Sequence, residues 1–196
     1  MMLSEGAEAK VYRSKLYGID IVEKVREPKT YREKSLDLML RESRTKKEAK
    51  AMHRARTLGV DVPAIFALGR FSIYMEYVDG TPLKDSKKVN SGVFERIGGI
   101  LAVLHNGDIA HGDFTTANVM LSGNKIYIID FGLAEISGGV EEKALDLLLM
   151  KRSITAVQYR AFEKGYLRNR GKKEVLARLT EIMLRGRYQT RTLLTG

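Results

Sequence analysis

Polar and apolar residues alternate over the first 25 positions of the chain, with the apolar side marked by Ala9, Val11, Ile19 and Ile21. A period of two is typical of short β-strands, and Tyr17-Gly18 is the expected turn between them. The beginning of the chain is therefore predicted to form a small sheet.

Over residues 43–58 the spacing changes to that of a helix whose surface is mostly polar and basic. Gly59 is expected to end this helix. Two more strands are predicted over 64–68 and 71–78, joined by a turn at Gly69-Arg70.

A break in the pattern falls at Asp79-Gly80-Thr81-Pro82, where a lobe boundary is expected. Two glycines, Gly98-Gly99, stand inside the helix that follows. Each is unfavourable in a helix by about 1 kcal/mol, which suggests that another backbone packs closely there. The apolar residues of this helix recur at helical spacing, at Val93, Ile97, Ile100, Leu101 and Leu104.

Short strands are predicted over 118–121 and 125–129, and the chain from residue 141 is predicted to be helical. Strands, one helix, more strands and then mostly helices indicate an α+β fold in two lobes. The predicted lobes are residues 1–78, a small antiparallel sheet with one main helix, and residues 79–196, which are mostly helical.

Charged residues make up 30% of the 196 residues and hydrophobic ones 44%, the balance of a globular protein. The lack of cysteine excludes disulfide scaffolds, thiolate zinc sites, iron–sulfur clusters and cysteine nucleophiles. No apolar run approaches the roughly 18 residues that span a bilayer. Acidic residues near the start stand where a secretory signal needs basic and then apolar ones. A soluble, cytoplasmic protein without a membrane contact is expected.

The net charge of +10 is unevenly distributed along the chain. Residues 24–56 hold 12 basic and 5 acidic side chains, a net +7, and residues 151–196 hold 12 basic and 3 acidic, a net +9. The remainder holds 10 basic and 16 acidic side chains, a net −6. Two basic blocks therefore flank an acidic middle, and the positive surplus favours an anionic partner, with nucleic acid as the leading candidate.

The most specific motif is His-Gly-Asp-Phe-Thr-Thr-Ala-Asn over residues 111–118, followed by Asp-Phe-Gly at the end of an apolar strand. Asp113 is the candidate catalytic base, and Asn118 and Asp130 are the candidate Mg²⁺ ligands, because phosphoryl transfer depends on positioning and charge neutralisation. The spacing matches the H-R-D-x-x-x-x-N and D-F-G patterns of protein kinases, with Gly112 in place of arginine.

The amino terminus resembles a weak form of the glycine-rich loop that covers ATP phosphates. Small residues there let backbone N–H groups approach phosphate oxygens. Lys24, thirteen residues after Val11, ends a strand where the lysine for the α- and β-phosphates is expected, and it is also assigned a catalytic role. The candidate loop residues are Ser4, Gly6, Ala7, Glu8, Ala9 and Val11.

The ion-pair partner of Lys24 should lie on the following helix. Glu48 is the favoured choice, as a lone acid among five basic residues, and Glu42 is the rival. A surface pair between Glu48 and Arg44 is the structural alternative. The segment expected to bind adenine through its backbone is Met75, Glu76, Tyr77 and Val78, which could equally be ordinary strand core.

Asp146 is an acid within an apolar helix. It is either a surface carboxylate or a buried group that braces the catalytic loop through backbone hydrogen bonds, and we favour the second interpretation. His105 and His111 are interpreted as structural, because no second histidine or carboxylate stands beside them at metal-ligand spacing.

Taken together, these residues resemble the small atypical kinase of the KEOPS complex over nearly the whole chain. The resemblance rests on Gly6-Ala7-Glu8-Ala9, the run 24–32 with Leu36, Asp37 and Leu40 behind it, the run 44–49, and the motif 111–118. It implies a minimal two-lobe protein-kinase-like fold, ATP and Mg²⁺ as cofactors, and serine/threonine autophosphorylation or ATPase activity. It also implies partnership with a threonylcarbamoyl-transferase subunit and other KEOPS subunits, in tRNA modification. The charge distribution then makes blocks 24–56 and 151–196 the expected tRNA contacts.

Two alternatives remain open at this point. The first is a small-molecule phosphotransferase of the aminoglycoside or choline kinase type, which also uses His-Gly-Asp, four residues and Asn but needs a larger helical lobe. The second is a non-enzymatic adaptor that binds tRNA, which would have no chemical need for the four candidate site residues Lys24, Asp113, Asn118 and Asp130. Only fifteen residues separate Asp130 from Asp146, too few for a long activation segment. In the tail, Arg185-Gly186-Arg187 is the expected basic motif, but the residues after it are less basic than the family leads us to expect.

Overall fold

The computed structural model describes residues 1–6, 8–136 and 138–192, and its first half is an antiparallel sheet with one long helix. The strands of this sheet lie in the order β1-β2-β3-β5-β4, and every neighbouring pair is antiparallel, as predicted. The elements of this half are β1 (Met2–Glu5), β2 (Lys10–Leu16), β3 (Ile19–Val25), α1 (Lys34–Thr57), β4 (Ile65–Leu68) and β5 (Ser72–Glu76).

The β2–β3 hairpin turns at the predicted position. Tyr17 and Gly18 both have positive φ, 49° and 82°, the backbone that two-residue hairpin turns require. Leu16 pairs with Ile19 directly across the turn. This register brings Val11 opposite Lys24, so the end of the amino-terminal loop lies beside the candidate phosphate lysine.

Helix α1 is longer than predicted, since it begins at Lys34 rather than near residue 43. Glu33 caps it by accepting hydrogen bonds from the N–H groups of Ser35 and Leu36, and these bonds with the Ser35 hydroxyl lower the pKa of Glu33 to about 2. The first turns carry exposed apolar residues such as Met39, which is 60% exposed. Because these turns lack a single apolar face, their sequence shows no helical periodicity of apolar residues.

The described part of the second half contains five helical elements and two small sheets. One sheet has the order β6-β8-β9, and the other is the pair β7 and β10. The elements in chain order are β6 (Thr81–Pro82), a 3₁₀ turn (Leu83–Asp85), α2 (Ser91–Asn106), β7 (Ile109–Ala110), β8 (Val119–Ser122), β9 (Lys125–Ile128), β10 (Glu135–Ile136), α3 (Val140–Ser153), α4 (Ala156–Arg168) and α5 (Lys173–Thr192).

Between the halves, β5 ends at Glu76 and Thr81 already pairs with Leu121 in the second sheet. Residues 77–78 therefore lie outside the strand that was predicted to extend to 78, because they leave the ladder toward the second sheet. Residues 1–78 and 79–196 remain our proposed lobes. Within the part of the chain that is described, no helix is both long and apolar enough to cross a membrane.

Helices α2 and α4 cross at closely approaching backbones. A Cβ added to Gly98 would lie 1.9 Å from the carbonyl oxygen of Phe162, and one added to Gly165 would lie 1.8 Å from that of Glu95. The backbone approach predicted at Gly98-Gly99 is confirmed for Gly98. At Gly99 it is wrong, because that position faces the side chain of Asn169.

Gly98→Ala is expected to lower the free energy of unfolding by about 2 kcal/mol, because overpacking separates the two helices. Gly92→Ala is the matched control, since Gly92 is exposed at the start of the same helix. There, alanine should raise stability by up to about 1 kcal/mol through its higher helix propensity. Urea denaturation measures both, and equal shifts in the two variants would contradict the close crossing.

Candidate active site

Lys24 and Glu48 form a buried ion pair between β3 and α1. Lys24 Nζ lies 2.6 Å from Glu48 Oε1, and the two side chains are 9% and 1% exposed. Glu42, the rival candidate, instead binds Lys46 and Arg70 near the surface. The structure therefore brings Glu48, and not Glu42, to the candidate phosphate lysine, and the surface pair of Glu48 with Arg44 is wrong.

Asp130 is the second carboxylate on Lys24. Its Oδ1 lies 2.7 Å from Lys24 Nζ and accepts a hydrogen bond from Gly132 N at 3.1 Å. The backbone of Asp130 has φ 60°, a left-handed conformation that aspartate tolerates better than most residues. Half of the side chain is exposed (50%), so it remains accessible to a ligand.

The charges on Lys24 and Asp130 stabilise each other. Burial by itself would lower the pKa of Lys24, but attraction to Glu48 and Asp130 outweighs burial and raises it. Burial by itself would raise the pKa of Asp130, but Lys24 outweighs it and lowers that pKa. Both groups are therefore charged over the whole neutral range.

The loop between β7 and β8 holds Asp113 and Asn118 together. Asn118 Nδ2 donates to the carbonyl and to the Oδ2 atom of Asp113, both at 2.8 Å. The carbonyl of Asn118 accepts from Ile129 N at 3.0 Å, so Asn118 lies beside the residue that precedes Asp130. These contacts use the amide nitrogen of Asn118 and leave its amide oxygen as the candidate metal ligand.

Asp146, from α3, braces this loop from below. It is fully buried, and its carboxylate accepts hydrogen bonds from His111 N at 2.6 Å and Gly112 N at 2.8 Å. The predicted bracing role is confirmed. Bonds from two backbone N–H groups fix the loop immediately before Asp113.

Gly112 occupies the position where protein kinases have arginine. Its φ is +81°, and a Cβ there would lie 2.2 Å from the carbonyl oxygen of Leu133, in the segment after Asp-Phe-Gly. The loop that carries Asp113 and this segment therefore touch through their backbones at a position where only glycine fits.

Both histidines near the loop are structural, as predicted. His105 Nε2 lies 3.2 Å from Asp146 Oδ2, and Nδ1 lies 2.9 Å from the Tyr166 hydroxyl. His111 Nε2 lies 3.1 Å from the Ile129 carbonyl, and Nδ1 accepts from Asp113 N at 3.3 Å. Burial lowers the pKa of both histidines, which are therefore neutral in the folded protein at neutral pH.

The free energy of unfolding is expected to fall as the pH drops below about 6.5, because the unfolded chain then protonates His105 and His111 while the folded chain excludes the protons. Each histidine contributes at most about 1.4 kcal/mol per pH unit. Urea titrations between pH 7 and 5 measure the slope. His53→Gln is the comparison variant, since it removes the exposed histidine and leaves both buried ones in place. A stability independent of pH in this range would contradict burial of neutral histidines.

The amino-terminal loop joins β1 to β2 above this site. Gly6 N donates to the Ala9 carbonyl at 3.0 Å, which closes a tight turn, and Ser4 pairs with Val11 across the strands. Glu8 directs its carboxylate to Arg44 and Arg32. Its side chain thus ties the loop to α1 and to the segment before it. Ala7 lies outside the described residues.

The four residues of the candidate adenine segment make different kinds of contact. Met75 is a core residue of β5, and Val78 is equally buried. Glu76 accepts from Ala64 N through its side chain at 3.0 Å, and the Tyr77 ring lies under the Arg13 guanidinium at 4.0 Å. The backbone of Met75 and Glu76 is engaged in the sheet, and Glu76 N donates to the Ala64 carbonyl at 2.8 Å, so the backbone of residues 77–78 is the part of this segment left for a base.

The residues present fit a magnesium–nucleotide. A carboxylate and an amide oxygen are hard ligands that Mg²⁺ accepts, and it completes its shell with water and phosphate. Among the described residues there is no cluster of three or more His, Asp or Glu side chains that would form a complete protein cage. A Cβ at Gly132 would lie 3.0 Å from Asp130 Oδ1 and 3.5 Å from Lys24 Nζ, so glycine keeps this space open.

Arg26 is a site residue that the sequence reasoning missed. Its Nη2 lies 2.6 Å from Glu48 Oε2, and its side chain is 4% exposed. The signal was present, because residues two apart in extended backbone share one face, and Arg26, just past the end of β3, follows Lys24 by two positions.

The fold is that of a protein-kinase-like protein. It combines an antiparallel sheet and one long helix with a mostly helical second half, and it carries the Lys24–Glu48 pair and the Asp113–Asn118 loop. Solved structures confirm the fold. The complex of Rio2 kinase with ADP/Mg²⁺ and phosphoaspartate from Chaetomium thermophilum matches with a TM-score of 0.68 at 16% identity, over 97% of this chain and 70% of that chain. WaaP in complex with acyl carrier protein also gives 0.68 at 16% identity, over 92% and 86%.

Sequence relatives then give the family. The RIO domain model matches residues 6–172. The KEOPS complex subunit Bud32 of Pyrococcus abyssi is 37% identical over 99% of both chains, and a probable serine/threonine-protein kinase BUD32 homolog of Archaeoglobus fulgidus is 39% identical over 88% of this chain and 90% of its own. The chain belongs to the Bud32 family of RIO-domain atypical serine/threonine kinases, which confirms the resemblance described above.

Some relatives are much longer. A probable bifunctional tRNA threonylcarbamoyladenosine biosynthesis protein of Methanosarcina barkeri is 36% identical over 95% of this chain, which spans only 35% of that protein. The present chain therefore corresponds to one part of such a protein.

Proposed function

We propose that the chain binds Mg-ATP and transfers or hydrolyses its γ-phosphoryl group as a subunit of a KEOPS-type complex that supports threonylcarbamoyladenosine modification of tRNA. The observation that carries the chemistry is the buried Lys24–Glu48 pair, at 2.6 Å, in contact with the accessible carboxylate of Asp130. The identity with a KEOPS subunit over 99% of both chains supports the biological setting.

Each residue has a proposed role in phosphoryl transfer. Lys24 binds the α- and β-phosphates, and Glu48 orients it. Asp113 accepts the proton of the attacking hydroxyl or water, and Asn118 and Asp130 would hold Mg²⁺. When bound, the metal neutralises phosphate charge and orients the triphosphate. The short bond from Asn118 to Asp113 keeps the base oriented before substrate arrives.

The nucleotide itself is proposed to lie between the two lobes. The loop 4–11 covers the phosphates with backbone N–H groups. The Glu8 carboxylate, which would otherwise repel phosphate, is engaged with arginines. Within the predicted segment 75–78, the backbone of residues 77–78 binds the adenine edge. These assignments explain why Gly6 and Ala9 are small, since a larger loop residue would keep the backbone away from phosphate.

The acceptor is proposed to be water or a hydroxyl of this chain rather than a bound peptide. The segment after Asp130 returns at once to the core, because β10 pairs with β7 and α3 begins at Val140. That leaves little chain to build a peptide platform. ATP hydrolysis with slow serine/threonine autophosphorylation is the output that fits this geometry.

Partners are proposed from the relatives' names and from charge. Proteins named as KEOPS subunits are similar over the full length, and the bifunctional relatives join a similar part to a second part in one chain. A threonylcarbamoyl-transferase subunit and other KEOPS subunits are therefore the proposed protein partners. The basic blocks 24–56 and 151–196 are proposed to contact tRNA, and a cytoplasmic location accompanies this role.

The decisive experiment measures ADP release by the chain alone, with the transferase subunit, and with the subunit and tRNA together. Stimulation by the partners is expected. If ADP release is measurable but unaffected by them, the complex-dependent ATPase role is wrong and a protein kinase with another acceptor is favoured. A complete lack of turnover in all three mixtures would favour the adaptor alternative.

tRNA binding is expected to weaken steeply with salt, because each phosphate contact releases a counterion and adds about −0.9 to the slope of log K against log salt. Many arginines of the first block are already paired with acids, whereas Lys47 and Lys50 are exposed on α1. The double variant Lys47→Glu, Lys50→Glu should reduce the magnitude of the slope by about 1–2. Lys15→Glu, an exposed lysine outside both blocks, is the control. An unchanged slope in the double variant would remove this face of α1 from the RNA contact.

A further inference from the structure

Arg26 is a second buried cation behind the phosphate lysine. Its Nη2 lies 2.6 Å from Glu48 Oε2, while Lys24 Nζ lies 2.6 Å from Glu48 Oε1. The side chains of Arg26 and Glu48 are 4% and 1% exposed. One buried carboxylate is therefore shared by two cations, one on each oxygen.

The backbone of Arg26 is fixed as well as its side chain. Its N–H donates to the Phe71 carbonyl at 2.9 Å, and its carbonyl accepts from Arg41 Nη1 at 3.3 Å. Arg41 stacks on the Phe71 ring at 4.0 Å and binds Asp37 in the first turn of α1 at 2.7 Å. Arg26 is thus held to both the sheet and the helix that carries Glu48.

Lys24 has a second partner, which makes its bond to Glu48 exchangeable. Asp130 already shares Lys24 at 2.7 Å, and in the proposed reaction Lys24 also engages phosphate oxygens. A buried carboxylate that loses its only cation is strongly destabilised. Were Lys24 the only cation on Glu48, each move of Lys24 toward phosphate would leave Glu48 uncompensated and push α1 outward.

We infer that Arg26 is a positioning residue of the phosphoryl-transfer site, one that holds Glu48 and α1 inward whichever group Lys24 binds. Because Arg26 stays on the other carboxylate oxygen, Lys24 is free to follow the phosphate charge as it develops. The ion pair on which kinases depend is then held together permanently by Arg26, just past the end of the strand that carries Lys24, without a phosphorylated activation segment. The inference rests on the proposed function, since it concerns the same site.

The test compares ADP release by Arg26→Gln in two backgrounds, wild type and Glu48→Gln. In the wild-type background kcat is expected to fall about tenfold while KM for ATP changes less than about threefold. The reason is that Lys24, needed by Glu48, can no longer follow the phosphate charge that develops in the transition state. Arg26→Lys should restore kcat to within about threefold of wild type. In the Glu48→Gln background, Arg26→Gln should cause no further loss, because the charge that Arg26 compensates is gone.

Arg70→Gln is the matched control, since Arg70 also joins the sheet to a glutamate of α1, Glu42, but at the surface. Its kcat should stay within twofold of wild type. A folded Arg26→Gln variant with wild-type kcat overturns the inference. So does an equal fold-loss in both backgrounds, which would mark Arg26 as merely structural.

If Arg26→Gln alone does not fold, the comparison of Glu48→Gln with the double variant decides, because neither carries a buried unpaired carboxylate. Equal kcat values support the inference, and a further loss of more than fivefold overturns it. Asp130→Asn is measured in parallel. Turnover retained in Asp130→Asn contradicts the proposed function itself, whereas turnover lost there but kept in Arg26→Gln contradicts only the role of Arg26.

Discussion

Asp130→Asn is expected to reduce ATP turnover at least about 100-fold, the loss typical of removing one preorganised electrostatic contact from a transition state. The variant keeps the shape of the side chain, and asparagine tolerates the left-handed backbone at this position, where φ is 60°. It loses the charge that would hold the metal and that pairs with Lys24 at 2.7 Å. ADP release in the presence of Mg-ATP measures the effect, and circular dichroism verifies the fold. Asp130→Ala should lose the same activity but be less stable by about 1 kcal/mol, because alanine is strained at positive φ.

Asp108→Asn is the matched control for this variant. Asp108 also has positive φ, 57°, and its carboxylate also binds a lysine, Lys143 at 2.9 Å. It is not among the candidate site residues, so its turnover should stay within about twofold of wild type. Normal turnover in folded Asp130→Asn, or equal losses in both variants, would refute the assignment of Asp130.

Asp146→Ala is expected to lower the free energy of unfolding by about 3 kcal/mol, because the buried His111 N–H and the buried His105 ring lose their acceptor and each unsatisfied buried group costs about 1–3 kcal/mol. The carboxylate is fully buried and binds His111 N and Gly112 N at 2.6 and 2.8 Å. Loss of this support should also displace Asp113 and reduce ADP release. Urea denaturation measures the stability change.

Glu142→Ala provides the comparison on the same helix. Glu142 lies in the first turn of α3 and is only partly buried, so its removal should change stability by less than about 0.5 kcal/mol. If Asp146→Ala is as stable as Glu142→Ala, the bracing of the catalytic loop has little energetic weight.

Residues that the sequence proposed for the site lie close together in the structure, whereas several element boundaries differ from the prediction. Asp113, Asn118 and Asp130 stand at fixed spacing because one loop and one strand end carry them, and local spacing is visible in a single chain. Asp146 was identifiable because an acid within an apolar helix needs a buried partner. The choice of Glu48 over Glu42 succeeded on charge context alone.

Other features depend on tertiary contacts that leave no local signal. The first turns of α1 have no apolar face, so their helical state follows from the Glu33 cap and from Asp37, which binds Arg41. The pairing of β7 with β10 involves two residues on each strand, too few for a period to appear. Gly98 and Gly99 are indistinguishable in sequence, and only the position of α4 separates a backbone contact from a side-chain contact.

The contact between Gly112 and Leu133 limits how this protein can be re-engineered. Arginine cannot be restored before Asp113 by one substitution, because any Cβ there would lie 2.2 Å from the Leu133 carbonyl oxygen and φ is +81°. The segment after Asp-Phe-Gly would first have to be lengthened and moved away. Conversely, a longer segment alone, once phosphorylated, would have no arginine before Asp113 to bind its phosphate. The arginine substitution is harmful without the longer segment, and the longer segment is useless without the arginine. Control by phosphorylation would therefore require both changes together, and no single mutation would introduce it.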